Sequence, residues 1–504
     1  MPDTASDFDY IVIGAGSSGC VVVNRLSADP GVRVLLLEAG VAADADPAIT
    51  TPGQWTSLIG SSYDWGYATE TEEGLAQRAI AFPRGKALGG TSAINAMTHM
   101  RGHRRCFDGW RDAGNFGWGY DDLLPLFKRS ERYDGDPSSH RGSDGPLAVS
   151  RARDPHEGHE AFLLAAAEQG FRADHRHDFN AAEPEAVAGF YQKNILDGRR
   201  HSAADAFLMP VRARANLTIR SSAHVTRLIV KGRRVTGVEY VCNGQPGAVR
   251  ANREVVLCAG AVESPRILMS SGIGPADQLR AHGVRIVSDV AGVGRNLQDH
   301  LKLSIRWYGR ATLPASTVTA GLVTSSSGGG LPDLQFYVGR GVDQPDPFVT
   351  ITVALVRPQS RGTIELRSAD PLAAPIIRAN YLQSQADVAV LVAGARLARQ
   401  IGLSPAYDRL RGEETDPGDR ATTAGDLERF VRAMADTIYH PAGTCRMGPS
   451  SDPDAVVDAS LRVRDIEGLR VADASIMTDV VDAPTHAAAV MIGEKCAALI
   501  RRLP

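Results

Sequence analysis

Residues 8–40 read FDYIVIGAGSSGCVVVNRLSADPGVRVLLLEAG, which has the pattern of a strand, a tight turn, a helix and a second strand. Residues 10–13 form a run without polar interruption, as expected of a strand buried on both faces of a parallel sheet. Gly14, Gly16 and Gly19 then spell G-x-G-x-x-G. The first glycine permits a sharp turn, the second lets backbone approach a pyrophosphate, and the third lets the helix sit against the strand. Residues 32–37 are a second buried strand, closed by Glu38, where a carboxylate can accept hydrogen bonds from a ribose. Glycines, strands and terminal acid fall in register, so dinucleotide binding is the expected role.

At 504 residues the chain exceeds one ordinary core, and two interleaved domains are expected. An apolar fraction of 43%, a charged fraction of 22% and a net charge of -3 provide no field for nucleic acid or anionic membrane, so a small-molecule partner is expected. The acidic start MPDTASDFDY enters the first strand almost at once, which leaves no expected secretory leader. No apolar run reaches the length of a membrane span. Six scattered cysteines without a C-x-x-C pair read as reduced thiols, and a cytoplasmic location is expected.

Beyond Glu38, residues 41–52 read as loop. Residues 83–102, PRGKALGGTSAINAMTHMRG, are too glycine-rich for a continuous helix and suit close backbone approach to a ligand. A helical pattern covers 108–133. His156-Glu157-Gly158-His159 lacks the H-E-x-x-H spacing of a zinc site and reads as a solvated helix start, so no metal is expected. Residues 217–250 alternate as an antiparallel unit with breaks at Lys231-Gly232 and Asn243-Gly244. Residues 255–257 give a buried strand and then a helix through Met269, a second return to the nucleotide. Residues 301–378 are strand-like, with a loop at 325–330; 387–401, 423–435 and 485–503 are helical, and 469–473 form a strand.

Taken together, the N-terminal fingerprint and five further segments resemble the glucose-methanol-choline family of flavin-dependent alcohol oxidoreductases over essentially the whole chain. Besides the N-terminal fingerprint, RGKALGGTSAINAMTHMRG and AGAVESPRILMSSGIGP are similar to the family's signature segments. VGRNLQDH, YHPAGTCRMG and VADASIM follow in family order. The resemblance implies an α/β chain, α+β overall, with a Rossmann-like FAD-binding domain (1–155, 200–298, 438–504) and a substrate-binding domain on antiparallel sheet (156–199, 299–437). It implies FAD held by Gly14, Gly16, Gly19 and Glu38 at the ADP half, with Ser17, Ser18 and Ala39 beside them. Arg84, Gly90, Thr91, Asn95, Ala96 and Met97 would contact pyrophosphate and flavin. Val225 would meet the adenine, Ala259 and Gly260 the nucleotide, Asp473 and Ala474 the ribityl chain, and Ala487 after His486 the pyrimidine edge.

Oxidising an alcohol needs a base beside an electron acceptor. The resemblance implies His440 as base, with a pKa near working pH, and His486 as partner of the alcohol oxygen. Where relatives often read N-T-N or N-P-N, this chain has Pro484-Thr485-His486, which places Pro484 beside the substrate. The chain also reads as short between Tyr308 and Asp333, in keeping with a small lid. A primary alcohol on an aromatic or heteroaromatic ring is the expected substrate, with oxygen or a quinone-like carrier as electron acceptor. Choline-type or other aliphatic alcohol oxidation and a redox-silent hydroxynitrile lyase are the alternatives within the family. A non-catalytic flavoprotein and a nicotinamide dehydrogenase are the alternatives outside this chemistry. Ile94 stands where some relatives carry the histidine bonded to flavin, so the FAD is expected to be non-covalent.

Overall fold

Five parallel strands form the centre of the first sheet, in the order Leu469–Val471, Gln245–Leu257, Phe8–Ile13, Val34–Leu37 and Leu217–Arg220. Their central residues, among them Ile11, Val12, Leu35, Leu36, Val255 and Val256, are fully buried, as parallel strands covered on both faces must be. The computed structural model describes residues 8–42, 45–181, 186–310, 316–338 and 348–501. The acidic start, residues 311–315 of the 308–333 segment and residues 502–503 of the expected last helix lie outside them.

Gly14 follows the first strand at φ +94, and a Cβ there would meet the Cys258 carbonyl oxygen at 2.6 Å. Helix Ser17–Leu26 packs back on the strand through Gly19, whose Cβ would lie 1.9 Å from the Gly14 oxygen. Helix His486–Arg501 lies against Ser17–Leu26, close enough that a Cβ on Gly493 would come within 2.7 Å of the Ser18 oxygen. Both helices therefore start at the same edge of the sheet as the glycine turn.

The expected antiparallel unit is extended in the structure. Gln245–Leu257 is one long strand that pairs antiparallel with Arg234–Cys242 at its start and parallel with Phe8–Ile13 at its end. Leu217–Arg220, expected in the antiparallel unit, is instead a parallel edge strand on Val34–Leu37. Gly114 and Gly117, at φ +95 and +83, divide the helical pattern of 108–133 into helices Arg104–Asp112 and Tyr120–Ser130.

The second sheet has eight strands. Its path runs Arg411–Asp416, Leu301–Gly309, Phe348–Leu355, Leu334–Val338, Ala320–Thr324, Val187–Phe190, Arg172–Ala173, with Asp436–Thr437 also on Leu301–Gly309. All pairings are antiparallel except the last on the path. Leu301–Gly309 alternates buried and partly exposed residues along its length. Helix Gln385–Gly402 covers this sheet so tightly that Cβ atoms on Gly394 and Gly402 would strike Val353 at 2.8 Å and the Trp307 ring at 2.2 Å. Among the described residues no helix is long and apolar enough to cross a membrane.

His156 does cap a helix, Glu157–Glu168, through Nδ1 and the Gly158 N–H at 3.1 Å. The expectation of a solvated start fails at His159, which is fully buried and stacked on His156 at 3.6 Å between ring centres. His159, not the capping His156, is the ring that turns inward.

Candidate active site

One cleft takes in every expected site residue except Gly19 and Ala487. Gly19 instead packs helix on turn, and Ala487 is buried behind His486.

At the nucleotide end the backbone matches a dinucleotide. Gly16 caps helix Ser17–Leu26 without any side-chain hydrogen bond, which leaves the helix-start N–H groups for phosphate. Gly90, at φ +53, approaches Gly16 so closely that its Cβ would sit 2.7 Å from the Gly16 Cα. Glu38 accepts from the N–H groups of Ala15 and Gly40 at 2.7 and 2.8 Å, which fixes its carboxylate at the ribose position. Burial pushes its pKa up to about 7, despite those N–H bonds and Lys86. Asp473 joins two strand ends by accepting from the Gly260 N–H and the Ser264 hydroxyl at 2.8 and 2.6 Å. Val225 reaches the cleft with its carbonyl held by Arg266 at 3.0 Å. These residues fit FAD. Sequence reasoning missed the aromatic wall beside them: Trp65 stacked on Tyr67, His224 at its edge, and Glu263, which accepts from the Tyr67 hydroxyl. The aromatics of SSYDWGYATE were its only signal.

His440 and His486 line the same cleft, on different elements. His486 begins the last helix, and its Nδ1 lies 2.8 Å from the Ser17 hydroxyl, so two helix starts meet at this contact. Burial, then His99 and Arg200, lower its pKa to about 3.

His440 is positioned by the VGRNLQDH segment. Asp299 accepts the His440 N–H at 2.7 Å and is itself held by the hydroxyls of Thr437 and Tyr381. Arg84 donates to the Tyr439 carbonyl at 2.7 Å. These contacts support Tyr439 at φ +73, a costly angle for a non-glycine residue. His300 Nδ1 lies 3.0 Å from His440 Nδ1, with the rings edge to face. Only one of the two nitrogens can carry the shared proton. Burial lowers the His300 pKa to about 3 against the opposing backbone of Val356 and Val481, so the ring is neutral, and its Nε2 reaches no hydrogen-bond partner. With the His300 proton on Nε2, its Nδ1 accepts from His440 Nδ1–H, and His440 Nε2 keeps a free lone pair.

The expectation that His440 titrates near working pH is corrected by the structure. Burial, then His300, Arg84 and Lys302, hold its pKa well below 6.5. The ring keeps some exposure because it lines the cleft. Depression of the pKa favours the neutral, base-competent ring, so flavin reduction is expected to stay flat from pH 9 to 6.5 and to fall only at lower pH. Anaerobic flavin bleaching across pH gives the profile, and an inflection above pH 7 would contradict it.

Comparison with known proteins decides the family. The GMC oxidoreductase family models match residues 8–302 and 358–493. The chain belongs to the GMC oxidoreductases. It is an FAD-dependent enzyme acting on CH–OH groups. It is 38% identical to human mitochondrial choline dehydrogenase, with 100% of this chain and 91% of that protein covered. An alcohol dehydrogenase (acceptor) of Pseudomonas putida is also 38% identical, over 98% of this chain and 96% of its own. The crystal structure of pyridoxine 4-oxidase from Mesorbium loti superposes with a TM-score of 0.92 at 36% identity, covering 99% of this chain and 100% of that one.

Proposed function

We propose that this enzyme oxidises a primary alcohol on an aromatic or heteroaromatic ring to the aldehyde, with His440 as base. Bound FAD supplies the two-electron acceptor for the hydrogen leaving the carbinol carbon. His440 Nε2 takes the hydroxyl proton, and the ring hands the polarisation on to His300 through Nδ1. His486, kept neutral by burial, offers a ring N–H to the alkoxide oxygen while Ser17 hydrogen-bonds its Nδ1. Pro484 adds a rigid apolar surface to the same cleft.

The observation that carries the substrate class is the charge of the cleft. Among its described lining residues the carboxylates are Glu38, Glu263 and Asp473, and each is already engaged. Arg84, Lys193 and Lys302 line it as cations. A ring would pack on Tyr337, Tyr439, Val318 and Ile438; a quaternary ammonium could use the same tyrosine faces but would meet no free carboxylate and the cations Arg84, Lys193 and Lys302. The choline-type reading keeps its own support in the full-length match to choline dehydrogenase. A panel of benzyl alcohol, pyridoxine, hydroxymethylfurfural, choline and glucose, scored by anaerobic flavin bleaching, tests the choice. Preference for choline or glucose would defeat the ring-alcohol reading.

The division into an FAD-binding and a substrate-binding domain is supported by the two sheets. Every strand of the seven-stranded sheet falls within 1–155, 200–298 and 438–504, and every strand of the eight-stranded sheet within 156–199 and 299–437. Six unpaired cysteines suit a reducing, cytoplasmic setting.

The FAD is read as dissociable. Ile94 is buried against Ile49 and Leu58 and lines the cleft with no nucleophile to offer. His99 and Cys106 do not line it, and Cys258, which does, has its thiol pKa pushed well up by burial. Acid denaturation is expected to leave the yellow colour in the supernatant; colour pelleting with the polypeptide would show a covalent bond.

A further inference from the structure

Lys193 has no part in the chemistry above, although it lines the same cleft. Its backbone is bridged to Thr98 on one side and Ser150 on the other, with paired bonds to Ser150 at 2.9 and 2.8 Å, so the side chain is fixed in place. Only 6% of the residue is exposed. Nζ donates to the Ala96 carbonyl at 3.0 Å and the Thr98 hydroxyl at 3.1 Å. An ammonium has three N–H groups, so one remains to be used. Burial and Arg200 both push the Lys193 pKa down, to about 7, and no carboxylate offsets them. Without an anion the buried group can shed its proton near neutral pH, whereas an anion beside it restores the ammonium and takes its third N–H.

Two further features indicate where that anion comes from. The phosphates of the cofactor have the helix start at Ser17, with its uncapped N–H groups. Lys193 instead adjoins the wall of the eight-stranded sheet: the neighbouring Tyr191 N–H donates to the Thr319 carbonyl at 3.0 Å, and Thr317, Val318 and Thr319 line the cleft with it. Lys302, the other lysine of the cleft, has its charge answered already by Asp436 at 3.9 Å and the Tyr439 hydroxyl at 3.3 Å.

We propose that Lys193 anchors an ionised oxygen of the substrate, so that the cleft takes a ring alcohol carrying an acidic hydroxyl or a carboxylate. This rests on the ring-alcohol reading, and the test separates the two. Benzoate, which has no carbinol to oxidise, is titrated into the holoenzyme and read by the change in flavin absorbance. In parallel, kcat/KM is compared for 4-(hydroxymethyl)benzoate and benzyl alcohol. Benzoate is expected to bind, and Lys193→Met to weaken it by about tenfold to hundredfold, the worth of a hydrogen bond to a charged group. The preference for the carboxylated alcohol should shrink by a similar factor. Lys193→Gln, which keeps a donor for Ala96 and Thr98, serves if the methionine variant does not fold.

Equal benzoate affinity in wild type and variant would overturn the proposal. So would loss of binding in Lys302→Met but not at Lys193, or loss of FAD from both Lys193 variants, which would make Lys193 a cofactor residue. If benzoate binds through Lys193 but no ring alcohol bleaches the flavin, the anion anchor stands and the ring-alcohol reading falls. If ring alcohols are oxidised without any preference for the anion, the reverse holds.

Discussion

His440→Ala is expected to keep FAD and to slow flavin reduction by about two to four orders of magnitude, the range for loss of a positioned base. Retention of FAD follows from where the cofactor contacts lie: the glycine turn, Glu38 and Asp473 are held by backbone and side chains that do not involve the His440 ring. Asp299 binds the backbone N–H of residue 440, so alanine preserves the clamp and removes only the imidazole. The measurement is a single-turnover anaerobic reduction with FAD content checked on the same sample. Near-normal reduction would take His440 out of the role. His486→Asn should lose far less, since an amide can still donate to the alkoxide, and total loss there would make His486 the base.

The contrast between those histidines shows how far local pattern carries. The strand-turn-helix at the N-terminus was legible because each of its constraints is local: glycine at φ +94, a β-branched run and an acid at the strand end. The strand-like character of 301–378 was legible in the sequence, but the neighbours of its strands were not. Val187–Phe190 joins the sheet from more than a hundred residues upstream by hydrogen bonds that leave no mark on its own composition. His440 and His486 could be named from flanking motifs. His300 could not be given a task from sequence, since its work depends on a ring contact across 140 positions. Lys193 sits in FYQKN, which has neither periodicity nor motif, and only burial and the want of a carboxylate single it out. The pKa of His440 was misjudged for the same reason: the burial that depresses it, and then His300, Arg84 and Lys302, come from distant strands and loops.

The contact between His300 and His440 gives the second large expected effect. The two Nδ1 atoms lie 3.0 Å apart, and in the tautomer with His300 Nδ1 as acceptor the His440 proton is held on Nδ1 and Nε2 is left as the base. His300→Leu removes that acceptor and leaves a buried donor unpaired, at a cost of about 1–3 kcal/mol. The ring would then escape into its other tautomer or rotamer, and the base-competent population should fall about tenfold to hundredfold. His300→Gln separates this from a packing defect, because its amide oxygen can accept the same proton while filling much of the same buried space. The glutamine variant is expected to stay within a few-fold of wild type in flavin reduction, with the leucine variant slow and both retaining FAD. A leucine variant as fast as wild type would show that His440 needs no partner for its tautomer. Equal slowing in both variants would mean that His300, fully buried beneath the site, acts through packing alone.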